Sequence, residues 1–213
     1  LDHAIALART TEAPVNLIYT REEDMTHDFY RNASVARMRA ILDEEGLPVA
    51  VSHHYAERND PKDASHFPYS LENVDVKFST GDNAAPWGAW RSVDHSVQGF
   101  FIESFIDELA HEAKQDPVAF RQAMLKSMPR HAAVLKLAAD KAGWSDKLPP
   151  GRARGVALHE SFDSIVAQVA ELSLEQGRLR VHRVVCAIDC GTVVNPGIVA
   201  QQMESGIVFG LTA

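Results

Sequence analysis

The most constraining feature of the chain is a pair of apolar rows between residues 97 and 110. Val97, Phe101, Phe105 and Leu109 recur at i, i+4, and Ile102, Ile106 and Ala110 form the adjacent row. Two neighbouring rows at helical spacing make an apolar face too wide for a solvated surface helix. The segment must be a long helix packed on something broad.

Around this helix the punctuation is clear. Asp116-Pro117 is an N-cap followed by proline at the first helical position, which predicts a second helix ending near Ser127. A third helix runs over about 131–142 and stops at Gly143. Before the long helix, Val15-Asn16-Leu17-Ile18-Tyr19-Thr20 reads as a short buried strand followed by the polar stretch Arg21–Met25. Residues 33–42 and 48–52, joined by Asp43-Glu44-Glu45-Gly46, read as a β-hairpin, and Val74–Phe78 as a strand. Residues 144–154, which contain Pro149-Pro150-Gly151, read as a linker. Beyond it, Ile165–Leu174 and Leu179–Ile188 form a hairpin around Gln176-Gly177, and Asn195-Pro196 opens a last helix. The fold class is α+β, hairpins and sheets with packed helices in two lobes: residues 1–143, the linker 144–154, and residues 155–213.

Composition narrows the function. Hydrophobic residues make up 46% of the chain and the formal net charge is −8. A duplex-binding domain draws its affinity from a basic excess, so nucleic acid is not an expected partner. No apolar run approaches the ~20 residues that span a bilayer. Arg178, Arg180 and Arg183 read as a solvated strand face, and Cys186 and Cys190 as buried free thiols, since no second pair completes a zinc site. The chain opens on what reads as the inside of a helix and closes on an apolar stretch, so it reads as part of a longer protein, and the compartment is left open.

Two places combine polar side chains with a helix start. The first is Ala89-Trp90-Arg91-Ser92-Val93-Asp94, ahead of the long helix. A helix N-terminus attracts anions, and an arginine beside it adds a planar fork suited to oxyanions. The plain alternative is that Arg91 is a surface residue, that Ser92 or Asp94 caps the helix, and that Trp87 and Trp90 pack. The second is Asp189-Cys190-Gly191 through Asn195-Pro196, with Gln201-Gln202-Met203-Glu204 on the first turns of the last helix. An amide at Gln202 can hydrogen-bond a ligand lying at that helix start. Glu103 and Asp107, four apart, read as a solvated face. His111 with Glu108 and Glu112 lacks the His-Glu-x-x-His arrangement. His53 and His54, adjacent in a strand, point to opposite faces.

These residues carry a family likeness. Leu17-Ile18-Tyr19-Thr20-Arg21-Glu22-Glu23-Asp24-Met25 resembles the segment after the glycine-rich cofactor loop of molybdenum hydroxylase large subunits. Trp90-Arg91-Ser92-Val93 through Glu108-Leu109-Ala110 resembles the arginine loop and helix of isoquinoline 1-oxidoreductase-like members. Asp116-Pro117-Val118-Ala119-Phe120-Arg121 is similar to the family's next helix start. Asp189-Cys190-Gly191, Asn195-Pro196 and Gln202–Gly206 are similar to its second cofactor-binding stretch. The likeness runs over almost the whole chain and lies in the order and spacing of the motifs together.

The resemblance implies an oxidoreductase of the xanthine dehydrogenase and aldehyde oxidase type. Such enzymes hydroxylate N-heteroaromatic compounds or oxidise aldehydes, with water as oxygen source. The implied cofactor in the full subunit is molybdenum on molybdopterin cytosine dinucleotide, and a small iron–sulfur partner subunit carries [2Fe-2S]. The implied cofactor-binding residues are Trp90, Arg91, Ser92, Gln202 and Gly206, with Arg91 and Gln202 on one side of the fold near a cleft between the lobes. The family's catalytic glutamate lies in a Gly-Glu-Pro motif that these residues do not contain, so no catalytic residue is named and this stretch alone is expected to be inactive. Ser205 stands where many members have glycine. A non-catalytic cofactor-binding or assembly domain that kept the scaffold is the alternative, and a hydrolase built on histidines and carboxylates a third.

Overall fold

The computed structural model describes residues 2–60, 63–81 and 85–212. They form two compact units. The smaller contains residues 2–32 and 85–90, the larger 33–81 and 91–212.

In the smaller unit, helices α1 (Asp2–Ala8) and α2 (Arg21–His27) are both exposed. Thr20 caps α2 by accepting from the Glu23 N–H at 3.3 Å. Residues 14–20 form no strand, contrary to the sequence expectation, and Ile18 is 79% exposed. An extended apolar segment becomes a strand only when a neighbouring strand takes its backbone groups, and the described residues supply none. Tyr30 bridges Trp87 in parallel, with the Tyr30 N–H donating to Pro86 O at 3.0 Å and the Gly88 N–H to Tyr30 O at 3.1 Å.

The larger unit holds the core. Strands β1 (Val35–Leu42) and β2 (Pro48–Glu57) form the expected antiparallel hairpin, and β3 (Asn73–Thr80) joins β2 in parallel. A parallel neighbour needs a crossover, which the segment after β2 provides while burying Phe67 and Tyr69. Helix α3 (His95–Glu112) carries the two predicted rows. Ile102, Ile106 and Ala110 are fully buried, whereas Val97, Phe101 and Phe105 are half-buried.

Asp116 caps α4 (Pro117–Met124) with bonds from the Val118 and Ala119 N–H groups, each 2.9 Å. This helix stops at Met124, short of Ser127. Helix α5 (Pro129–Ala142) ends at Gly143, whose φ of 64° is the left-handed conformation a helix C-terminus favours. It packs on a second sheet.

That sheet is an antiparallel meander of β4 (Arg152–Ser161), β5 (Ser164–Glu175) and β6 (Arg178–Asp189). The sequence reading had no β4. Its turn to β5 uses Phe162 and Asp163 at φ 49° and 60°, with no glycine to mark it, whereas Gln176-Gly177 marks the next turn plainly. Helix α6 (Pro196–Thr212) closes the described chain and buries none of its residues. Among the described residues, no helix is long and apolar enough to cross a membrane.

Candidate functional site

Arg91 opens the turn that leads into α3. The two residues after it, Ser92 and Val93, hold φ of 69° and 45°. A left-handed β-branched residue is an outlier, and such strain persists only where the surroundings impose it. The turn delivers the Arg91 side chain to α6. Its Nη2 donates to Gln202 Oε1 at 2.7 Å, and its Nη1 reaches Ser205 Oγ at 3.4 Å. Residues more than a hundred positions apart are thus in direct contact, which puts Arg91 and Gln202 on one side of the fold, the part of the expectation from the resemblance that the geometry addresses.

The start of α6 is built as predicted. Asn195 Oδ1 accepts from the Ile198 N–H at 3.2 Å, and Asn195 O from the Val199 N–H at 3.2 Å. Behind it, Asp189 Oδ2 takes the Arg130 Nε–H at 2.8 Å and Oδ1 the Gly191 N–H at 3.0 Å. The Arg130 bond, then the Gly191 N–H, hold the Asp189 carboxyl at about 2. This fixes the loop that carries Cys190 and Gly191. Both cysteines are free thiols, half-buried rather than buried, and burial pushes the Cys186 thiol above its ordinary range.

Trp90 belongs to the smaller unit. Its indole N–H donates to Phe29 O at 2.8 Å, and the Arg31 guanidinium lies 5.5 Å from its ring centroid. Ser92 and Asp94 make no side-chain cap on α3. Gly206 sits one residue past Ser205, and a Cβ placed on it would meet nothing within 4 Å.

Gly206 also borders a cavity of about 530 Å³ between α3, the β4–β6 sheet and α6. Here the structure shows a pair the sequence analysis missed. His95 Nδ1 and His159 Nε2 are 3.0 Å apart. Burial, then the neighbouring His95, lowers His159 to about 4, and burial lowers His95 as well. Both rings are therefore neutral at neutral pH, one donating to the other. His159 Nδ1 is buried without a partner. The two histidines lie far apart in sequence, one before α3 proper begins its apolar rows and one in the unrecognised β4, so no local spacing signalled them.

Glu103 overturns its sequence reading. It is 6% exposed and lines the same cavity. Its carboxylate accepts from Tyr69 Oη at 2.6 Å, Arg121 Nε at 3.0 Å and the Leu158 N–H at 2.7 Å. Burial raises its pKa, against the pull of Arg121 and these donors. Asp107, half-exposed, takes Arg121 Nη1 at 2.6 Å. The pair is thus a clamp joining α3, α4 and β4, with no proton position free on Glu103 Oε2.

The exposed Arg91 guanidinium, the Gln202 amide and the open space at Gly206 suit a ligand rich in hydrogen-bonding edges and anionic oxygens. Two family models, each described as a molybdopterin cofactor-binding domain, match residues 2–125 and 98–213. The chain belongs to the family of molybdopterin cofactor-binding domains.

Its relatives are more particular. The chain is 29% identical to the beta subunit of isoquinoline 1-oxidoreductase from Brevundimonas diminuta, over 98% of this chain and 30% of that protein. It is 27% identical to the membrane-bound aldehyde dehydrogenase [pyrroloquinoline-quinone] of Gluconacetobacter polyoxogenes, over 99% of this chain and 34% of that protein. The aldehyde oxidoreductase structure from Desulfovibrio desulfuricans shares the fold, with a TM-score of 0.54 at 16% identity over 83% of this chain and 24% of that one. The chain thus spans about a third of the length of the curated relatives it matches.

Proposed function

We propose that this chain is the cofactor-binding part of an oxidoreductase that hydroxylates N-heteroaromatic compounds or oxidises aldehydes, with water as the source of oxygen. The observation that carries the reading is the 2.7 Å bond from Arg91 to Gln202. It brings together, from two distant segments, a cationic fork and an amide on the second turn of α6. Likeness to an isoquinoline oxidoreductase and an aldehyde dehydrogenase supports the reaction class.

In this reading Trp90, Arg91, Ser92, Gln202 and Gly206 hold the cofactor. Arg91 binds anionic oxygens, Gln202 offers its amide to the pterin edge, and the missing side chain at Gly206 leaves room for close approach. When bound, the molybdopterin group supplies the metal that takes up the substrate's electrons. The cofactor would be the cytosine dinucleotide form, and a small iron–sulfur partner subunit would carry [2Fe-2S] as the electron acceptor. Residues 1–143 and 155–213 serve as parts of two cofactor-binding lobes, with 144–154 between them.

The alternative is a cofactor-binding scaffold without chemistry of its own. The test is metal, pterin and quinone analysis of the full-length protein purified with its partners, together with dye reduction by isoquinoline and by an aldehyde. Stoichiometric molybdenum and pterin with dye reduction supports the oxidoreductase. Molybdenum and pterin without turnover on any heteroaromatic or aldehyde supports the scaffold. Pyrroloquinoline quinone without molybdenum contradicts both.

A further inference from the structure

We propose that the outer face of the β1–β2–β3 sheet docks an acidic, extended segment of another protein. Strand alternation puts Val35, Arg37, Arg39 and Ile41 on one side of β1, and all four are exposed. The register then sets Arg37 opposite His54 and His54 opposite Lys77, a row of three basic side chains across three strands. Arg39 lies one step along, opposite Ser52, which faces Asp75.

Asp75 alone answers this row, bonding His54 Nε2 at 3.0 Å and Lys77 Nζ at 3.0 Å. Arg37 and Arg39 enter no ion pair among the described residues. In a chain of net charge −8 this face is an island of the opposite sign. Arg37 and Arg39 are open to a counter-charge from outside.

The geometry specifies the occupant. Arg37 and Arg39 are about 6.8 Å apart along the strand, the spacing of alternate residues in any extended chain. Each guanidinium accepts a carboxylate by two parallel bonds. Val35 and Ile41, 66% and 65% exposed, bracket the arginines two residues out on either side. The complement is an extended segment with two carboxylates at alternate positions, flanked at the same spacing by apolar residues. A nucleic acid has no groups for the two apolar brackets, and the net charge of the chain repels it.

The test titrates the full-length protein with a labelled peptide, Val-Thr-Glu-Thr-Glu-Thr-Val, and with its counterpart carrying lysine for glutamate. The glutamate peptide should bind and the lysine peptide should not. Arg37→Glu with Arg39→Glu should weaken binding by at least about tenfold, and so should raising the salt from about 50 to about 500 mM. Both positions are exposed, so the variant keeps its fold, which its unchanged unfolding temperature will show. The proposal is overturned by failure of the glutamate peptide to bind, by equal binding of both peptides, or by binding the variant leaves unchanged. It is also overturned if the face captures anionic vesicles or an oligonucleotide but no peptide, or if the arginines serve only self-association of this protein.

Discussion

Arg121 is completely buried, and its Nε lies 3.0 Å from the buried carboxylate of Glu103. Around this pair converge α3, α4, the Tyr69 hydroxyl and the Leu158 N–H of β4. Burial works against the charge on Arg121, yet Glu103, Tyr69 and Asp107 keep it above its ordinary value. Glu103→Ala removes the buried counter-charge and leaves the guanidinium only the half-exposed Asp107 and two backbone carbonyls. The expected loss is about 3–5 kcal/mol of stability, read from the midpoint of denaturant unfolding. A loss below about 1 kcal/mol would mean that water or Asp107 takes over.

His53 gives a pH dependence. It is fully buried in β2 between Tyr55 and Phe67, with both ring nitrogens unpartnered. Burial, then the neighbouring His54, lowers it from 6.5 to about 4. The unfolded chain therefore takes up this proton at higher pH than the folded one. Stability is full above pH 6.5, falls as the pH drops towards 4, and loses nothing more from this group below that. Glu57 and Glu103 are raised by burial and act the opposite way, since the folded chain takes their protons first. The informative comparison is His53→Phe, which should be more stable at pH 5 and show a flatter slope from pH 6.5 to 4. An unchanged slope would exclude His53 as its source.

Much of this architecture was legible in the sequence where a local rule carried it. The α4 cap at Asp116, the α5 stop at Gly143, the turn at Gln176-Gly177 and the β1–β2 hairpin follow from residue types at fixed offsets. The errors arose where the deciding partner is remote. The apolar rows lie elsewhere on α3 and point to a solvated face for Glu103, but Arg121, a helix away, buries it. Residues 15–20 have a strand's composition without a strand beside them. β4 was lost because Phe162 and Asp163 turn the chain without glycine. At the site, Arg91 and Gln202 came from motif order, whereas His95 and His159 meet only through β4.

Two backbone substitutions test the strain directly. A Cβ on Gly143 would clash with the Asp146 carboxylate, at a φ of 64°. Gly143→Ala should cost about 1–2 kcal/mol. Val93→Gly should do the reverse and raise stability by about 0.5–1 kcal/mol, since glycine carries no left-handed penalty. Thermal unfolding of both variants decides. Destabilisation by Val93→Gly would show that its side chain contributes more than its strain costs.

The described chain on its own should be catalytically silent. A positioned base contributes typically ~10²–10⁴-fold, and Glu103 is held by three donors. Dye reduction with isoquinoline or an aldehyde, measured on residues 1–213 free of the intact enzyme, should be at background. Turnover near that of the full complex would contradict this and would require a carboxylate such as Glu204 to act as the base.

The central claim is that Arg91 and Gln202 hold molybdopterin together, and cofactor content tests it most directly. Full-length protein carrying Arg91→Ala, Gln202→Ala or both would be analysed for molybdenum and pterin per polypeptide, with unfolding temperature as control. Loss of a charge-assisted bond to the cofactor should cost about 1.5–3 kcal/mol of binding. Because the two side chains bond each other, their effects should not add. The account predicts depleted molybdenum and pterin in each single variant, little further loss in the double, and an unchanged unfolding temperature of the cofactor-free protein. Full molybdenum and pterin content in Arg91→Ala would contradict it.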